Sequence, residues 1–346
     1  MAITPPKRAV LITGHLGTVG PLLVEKFLSE GFFVLGVDAH ILPYNTITDR
    51  YISVLEQRYK NYLSLTKAAQ DLTFEDIYCM MSTLGCDKIQ YIIHAASPAS
   101  PIYYKRIPQF CFDSNVTATQ NLLELSWYLK SRFVFCSTSE VYGSLDKAYF
   151  KESDKGLVNS YGERSCYDVS KMAGETLCRI AERDSGQNTG VVRIFNTYSE
   201  FGHPADGRVI NSFVDCALHN RPMIIFGSGN QTRSFMYASD LVEGIYRYTI
   251  SDNIFSPVNL GNPNEYYSIK QLAQIICKLI SIDDTDTIYE ESLANIQYTD
   301  LPDLDDPPVR RPDISLAKEL LQWEPKVNIV DGLSKVIRMY KIYDRM

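Results

Sequence analysis

Arg8-Ala-Val-Leu-Ile-Thr13 runs directly into Gly14-His-Leu-Gly17-Thr18-Val19-Gly20, and then into Pro21-Leu-Leu-Val-Glu-Lys-Phe-Leu-Ser29. An unbroken apolar run of this length reads as a buried strand, and the segment near Leu16–Ser29 reads as an amphipathic helix. Glycines between strand and helix permit tight backbone angles and let peptide N–H groups approach a phosphate, while the helix N-terminus favours negative charge. Bare G-x-x-G-x-x-G spacing is weak evidence, but its position in the first βα unit strengthens it. The next apolar run, Phe33–Asp38, ends in an acid roughly 20 residues beyond the glycines, where a carboxylate can hold the ribose hydroxyls of a dinucleotide. Alone, Asp38 would be a turn residue; behind that loop it becomes a cofactor ligand.

Working outward, Gln90–Ala96, Arg132–Ser137 and Val191–Phe195 are further apolar runs. Helical patterns separate them near Thr66–Leu84, Pro108–Leu129 and Tyr161–Arg183. Such alternation predicts α/β architecture: a doubly wound parallel sheet of Rossmann type, covered on both faces. Past Phe195 the elements shorten, with turn clusters GHPADG, GSGNQT and GNPNE and helices expected at Ser239–Thr249, Ile269–Leu279, Ile314–Leu321 and Asp331–Tyr343. The predicted organisation is a dinucleotide-binding domain over residues 1–198 and a smaller C-terminal substrate-binding lobe over 199–346. Segments near 236–262 are expected to return to the first domain.

The 346 residues are 45% hydrophobic and 22% charged, which excludes a disordered or fibrous chain. The net charge of −7 argues against a nucleic-acid partner. Nine acids fall between Asp283 and Asp306 with no Lys or Arg, so the rest of the chain is close to neutral and can still bind a small anion. Eight cysteines show no C-x-x-C or Cys/His cluster, so neither a metal site nor a disulfide framework is expected. With no signal peptide and no apolar run long enough for a membrane span, the chain reads as soluble and cytoplasmic.

Two further constellations carry chemistry. Ser137-Thr138-Ser139-Glu140 follows a strand at the sheet edge where α/β proteins bind ligands, although Ser and Thr there also serve as caps. Tyr167 and Lys171 stand four apart on one helix face, a spacing that is usually structural when it occurs alone. Beside a nucleotide loop it suggests a phenol acid/base, its pKa lowered by the lysine ammonium and a cationic nicotinamide.

Together, Gly14–Gly20, Ser137–Gly143 and Tyr167-x-x-x-Lys171 resemble the extended short-chain dehydrogenase/reductase family. His94–Pro101, Arg193–Tyr198, Asp206–Phe213, Gly227–Ile245, Asn259–Glu265 and Arg310–Ile314 narrow the resemblance to its UDP-glucuronate decarboxylase branch, over nearly the whole chain. The resemblance implies NAD as cofactor, held by Gly14, Gly17, Thr18, Val19, Gly20, Asp38, Ala95, Ser97, Tyr167 and Lys171. It implies a UDP-sugar substrate held by Asn196, Arg208, Arg233 and Arg310. Catalysis would fall to Tyr167, Lys171, Glu140, Thr138, Ser139 and Arg310, in a homodimer joined through the Pro108–Leu129 and Tyr161–Arg183 helices. The sequence departs from the family pattern at His15 and Leu16, around the tyrosine (GERSCYDVSKM, 162–172), and at Ser199-Glu200-Phe201 where Gly-Pro-Arg is usual. A 4-epimerase or 4,6-dehydratase of the same superfamily, or a non-catalytic NAD-binding sensor, remain the alternatives at this stage.

Overall fold

A computed structural model of the chain describes residues 7–41, 46–251, 254, 256–281, 295–300 and 309–343. Its centre is a seven-stranded parallel sheet. The strands are β1 (Arg8–Thr13), β2 (Phe33–Asp38), β3 (Tyr62–Thr66), β4 (Lys88–His94), β5 (Arg132–Thr138), β6 (Thr189–Ile194) and β7 (Val258–Leu260), in spatial order β7-β6-β5-β4-β1-β2-β3. The doubly wound expectation is met.

Side-chain alternation explains why these strands lack polar faces. Ala9 and Leu11 of β1 face one layer with Leu35, Ile92, Phe133 and Phe135, while Val10 and Ile12 face the other with Phe27, Val34, Ile93 and Leu241. Helices α1 (Gly20–Ser29), α2 (Thr46–Arg58), α3 (Phe74–Leu84), α4 (Pro101–Arg106), α5 (Pro108–Asn115), α6 (Thr117–Leu129) and α7 (Ser165–Ser185) flank the sheet or cross its edge. A second core gathers Tyr198, Phe201, Phe213, Met223, Ile225, Leu272, Ile276, Leu333 and Ile337. The helix Ala238–Ile250 contributes Leu241 and Ile245 to the sheet's core, and Ala317, Leu321 and Trp323 join them there. The Asp240 carboxylate anchors the segment leading to the last helix, accepting hydrogen bonds from the Lys326 and Val327 amides at 2.9 and 2.8 Å.

Several element boundaries differ from the sequence expectation. Thr66–Leu84 is not one helix: β3 ends at Thr66, a 3-10 turn spans Ala69–Asp71, and the helix begins at Phe74 behind a Thr73/Asp76 capping box. The helix expected over Pro108–Leu129 is interrupted at Val116. There Asn115 donates to the Cys111 carbonyl at 3.0 Å and to Ser170 Oγ at 3.0 Å, while Thr119 donates to the Asn115 carbonyl. Side chains competing for helix carbonyls break the regular ladder. The acidic stretch from Asp283 to Asp306 lies, apart from 295–300, outside the described residues.

Candidate active site

The C-terminal ends of β1, β4, β5 and β6 open into a cavity of about 1020 Å³. It lies at the point where strand order reverses between β1 and β4, the usual ligand crevice of such sheets. The loop after β1 supplies one wall. Gly14 has φ +77°, and a Cβ on it would stand 2.7 Å from the Ala96 amide nitrogen, so β1 and β4 close together only around glycine. Gly20 is equally constrained, because a Cβ there would lie 2.3 Å from the His15 carbonyl. Gly17, Thr18 and Val19 line the cavity between them.

His15, a departure from the family pattern, turns away from this space. It is buried beneath the loop against Gly36 of β2 and hydrogen-bonded to the Tyr62 hydroxyl at 2.8 Å. Burial lowers its pKa to about 4, so it is neutral at physiological pH. Asp38 accepts from the Leu16 amide at 3.1 Å and the His40 amide at 3.2 Å, which ties the glycine loop to the end of β2. Ala95 and Ser97 line the opposite wall, and Ser97 Oγ is buried there without a hydrogen-bond partner among the described residues. A glycine cradle, an acid at the end of β2 and an orphaned hydroxyl together fit a dinucleotide such as NAD.

At the far end Tyr167 lies buried on α7, its ring stacked parallel on Tyr104 with centroids 5.2 Å apart. Burial pushes the phenol pKa upward, and a hydrogen bond with the Thr138 side chain opposes that shift. The sequence predicts a phenol lowered by Lys171, yet the Lys171 ammonium donates to the Cys136 carbonyl at 2.8 Å and sits 5.9 Å from the Tyr167 ring centre. Burial brings Lys171 itself down to about 8.

Thr138 ends β5, Ser139 opens the following 3-10 turn, and Glu140 projects between two cations. Arg310 pairs with Glu140 Oε1, and Arg164 Nη2 approaches Oε2 at 2.7 Å. Arg310 is almost fully buried, which lowers its pKa to about 10 and still leaves it charged at neutral pH. A short parallel pairing of Val309–Arg310 with Thr232–Ser234 sets Arg310 beside the buried Arg233. Asn196 and Arg233 line the same cavity. Arg208 also lines it but reaches back to the glycine loop, donating to Thr18 Oγ1 at 2.7 Å.

The structure therefore brings all the sequence-assigned residues to one crevice or, for Asp38, to its rim. Sequence reasoning missed Arg164 and Tyr104. Arg164 stands three residues before Tyr167 within a segment that already drew notice, and that spacing was the available signal. The Ser199–Phe201 departure is absorbed locally. Ser199 donates to the Thr18 carbonyl at 2.5 Å, Glu200 accepts from Tyr237 at 2.7 Å, and Phe201 packs on Tyr51.

Fold and site together define a nucleotide-binding α/β enzyme with a Tyr-x-x-x-Lys centre. Residues 10–261 match the profile of the NAD dependent epimerase/dehydratase family. Over 333 residues the chain is 36% identical to UDP-glucuronic acid decarboxylase 1 of Arabidopsis thaliana, covering 96% of this chain and 69% of that protein. It is 37% identical to UDP-glucuronic acid decarboxylase 1 of Danio rerio, covering 96% and 73%. Among solved structures, UDP-glucuronic acid 4-epimerase from Bacillus cereus in complex with UDP-glucuronic acid and NAD superposes with a TM-score of 0.81 at 25% identity, covering 97% of this chain and 100% of that one. The dTDP-glucose 4,6-dehydratase of Bacillus anthracis, in complex with NAD, superposes at 0.80 with 22% identity and 98% coverage of both chains, a likeness of fold. The chain belongs to the NAD dependent epimerase/dehydratase family, and NAD is its cofactor.

Proposed function

We propose that this enzyme decarboxylates UDP-glucuronate to UDP-xylose through a 4-keto sugar, with NAD recycled inside the site. The decarboxylase relatives support this reading at 36–37% identity over 96% of the chain. The structural observation that carries it is the buried Arg310 in the same cavity as Tyr167. A bound NAD would supply the acceptor for the C4 hydride and the donor that restores it after CO2 has left, and its positive charge would favour the ionised form of Tyr167. Tyr167 accepts the proton of the 4-hydroxyl, with Thr138 and Ser139 positioned to bond the 4-oxygen. Loss of CO2 from the β-keto acid leaves an enolate. Arg310 orients the leaving carboxylate and stabilises that negative charge. Glu140, paired with Arg310, positions the acid group or relays a proton from water to C5, and Lys171 assists Tyr167 and the bound cofactor. Arg233 takes the diphosphate, with Asn196 and Arg208 toward the nucleotide.

A 4-epimerase reading is the alternative, favoured by the likeness to the Bacillus cereus enzyme. Incubation with UDP-glucuronate, UDP-glucose and dTDP-glucose in parallel separates them by product mass together with chromatographic retention, which reveals a C4 epimer of unchanged mass. A UDP-pentose from the first alone supports decarboxylation, whereas a uronate isomer or a dehydrated hexose replaces it.

Asp38 predicts cofactor choice. A carboxylate at the end of the second strand, tied to the glycine loop through the Leu16 amide, would repel the extra phosphate of NADP. Dinucleotide extracted from purified protein should be NAD or NADH; NADP or NADPH would remove this role for Asp38.

We also assign a cytoplasmic setting, supported by eight cysteines that are all free thiols. No described helix is long and apolar enough to cross a membrane. Quaternary structure is proposed as a homodimer in which α5, α6 and α7 meet their mates in a helical contact. Exposed Phe112 on α5, and Met172 and Ile180 on α7, supply apolar surface for it. Light scattering at micromolar concentration should give twice the chain mass; a monomer would contradict the dimer.

A further inference from the structure

Glu140 is held by two arginines rather than one. Arg310 pairs with one carboxylate oxygen and Arg164 with the other, and the three side chains are exposed by only 16% (Glu140), 4% (Arg310) and 13% (Arg164). Arg164 caps the N-terminus of α7, where a cation faces the positive end of the helix dipole and gains nothing from it. It makes no side-chain capping bond there. Its partners include Glu140 and, one turn along the helix, Asp168 at 3.8 Å.

This arrangement bears on how Arg310 becomes available. Resting on the decarboxylase reading, a substrate carboxylate must take Arg310 from Glu140 or share it. If Arg310 were the sole cation on Glu140, that exchange would leave a largely enclosed carboxylate unpaired, which is unfavourable. Arg164 removes the difficulty, because Glu140 keeps one guanidinium throughout and one carboxylate simply replaces another on Arg310. A neutral sugar has nothing to displace Glu140 with and gains nothing from Arg310.

We infer that Arg164 is a positioning residue: it holds Glu140 in place and ionised while Arg310 changes partners, and thereby sets the enzyme's preference for a carboxylate-bearing over a neutral UDP-sugar. Calorimetry on NAD-loaded protein in a Tyr167→Phe background, where turnover is blocked, reads this preference as an affinity ratio. The Tyr167→Phe parent should bind UDP-glucuronate more tightly than UDP-glucose. Adding Arg164→Ala should weaken UDP-glucuronate roughly tenfold or more, while UDP-glucose changes by no more than about twofold. Arg164→Gln, which keeps the length and loses the charge, should behave alike and carries the test if the alanine variant does not fold. Arg164→Lys should restore most of the ratio. A ratio unchanged in both neutral variants, or an equal loss for both sugars, overturns the inference and leaves the decarboxylase reading standing. A parent with no preference for the charged sugar overturns both.

Discussion

Arg310→Ala is expected to slow CO2 release from UDP-glucuronate by ~10²–10³ while leaving sugar oxidation intact. The two steps make different demands. Removing a hydride from C4 requires Tyr167, Thr138 and the dinucleotide, whereas the ion pair that Arg310 makes is with Glu140. Losing the carboxylate requires it to be oriented and the resulting enolate charge stabilised. A guanidinium buried to 3% exposure, carried on a short strand beside Arg233, can do both once the substrate carboxylate takes its place on or beside the Glu140 pair. A single turnover should therefore show absorbance of the reduced dinucleotide accumulating in the variant, with CO2 lagging far behind. Parent-like CO2 release would remove Arg310 from the chemistry. Arg311 is the control next door. It lies between the rings of Tyr149 and Tyr266, at 4.6 and 4.7 Å, and donates to the Pro263 carbonyl at 2.7 Å. Arg311→Ala should cost stability through lost packing and leave turnover nearly unchanged.

Tyr167→Phe should lower both oxidation and overall turnover by ~10²–10⁴. The ring and its stack on Tyr104 remain, so the core around it is preserved and the melting temperature should move by no more than about 3 °C. The variant loses only the oxygen that exchanges a proton with the 4-hydroxyl. Comparable activity would place the base elsewhere, and a collapsed melting temperature would make the phenol a structural group first.

The sheet was legible because five of its strands are continuous apolar runs buried on both faces, which no amphipathic helix imitates. Edge strand β3 was not: Tyr62–Thr66 is buried at one end and half exposed beyond it, too weak a pattern to separate from the following turn. The missed helix α2 is polar over most of its length and buries only Ile47, Thr48, Ile52 and Leu55.

At the site, Tyr167 and Lys171 were visible from spacing, and the glycine loop from its place between strand and helix. Arg310 came from family resemblance, supported by the flanking prolines Pro307, Pro308 and Pro312 that stiffen its segment. The Lys171 geometry could not be read at all, because the Cys136 carbonyl that captures its ammonium belongs to a strand 35 residues earlier. The departures from the family pattern at His15 and Ser199–Phe201 are mostly absorbed within the protein. His15 fills the space over Gly36, and Ser199 and Glu200 bond within the protein. Phe201 alone of that turn lines the cavity.

The most direct measurement is release of labelled CO2 from UDP-glucuronate carrying the label in its carboxyl group, using purified NAD-loaded protein and no added reductant. Catalytic release over many turnovers, with a UDP-pentose formed in step and no net reduction of the dinucleotide, is the predicted result. Label retained in a UDP-sugar, whether unchanged or epimerised at C4, would contradict it.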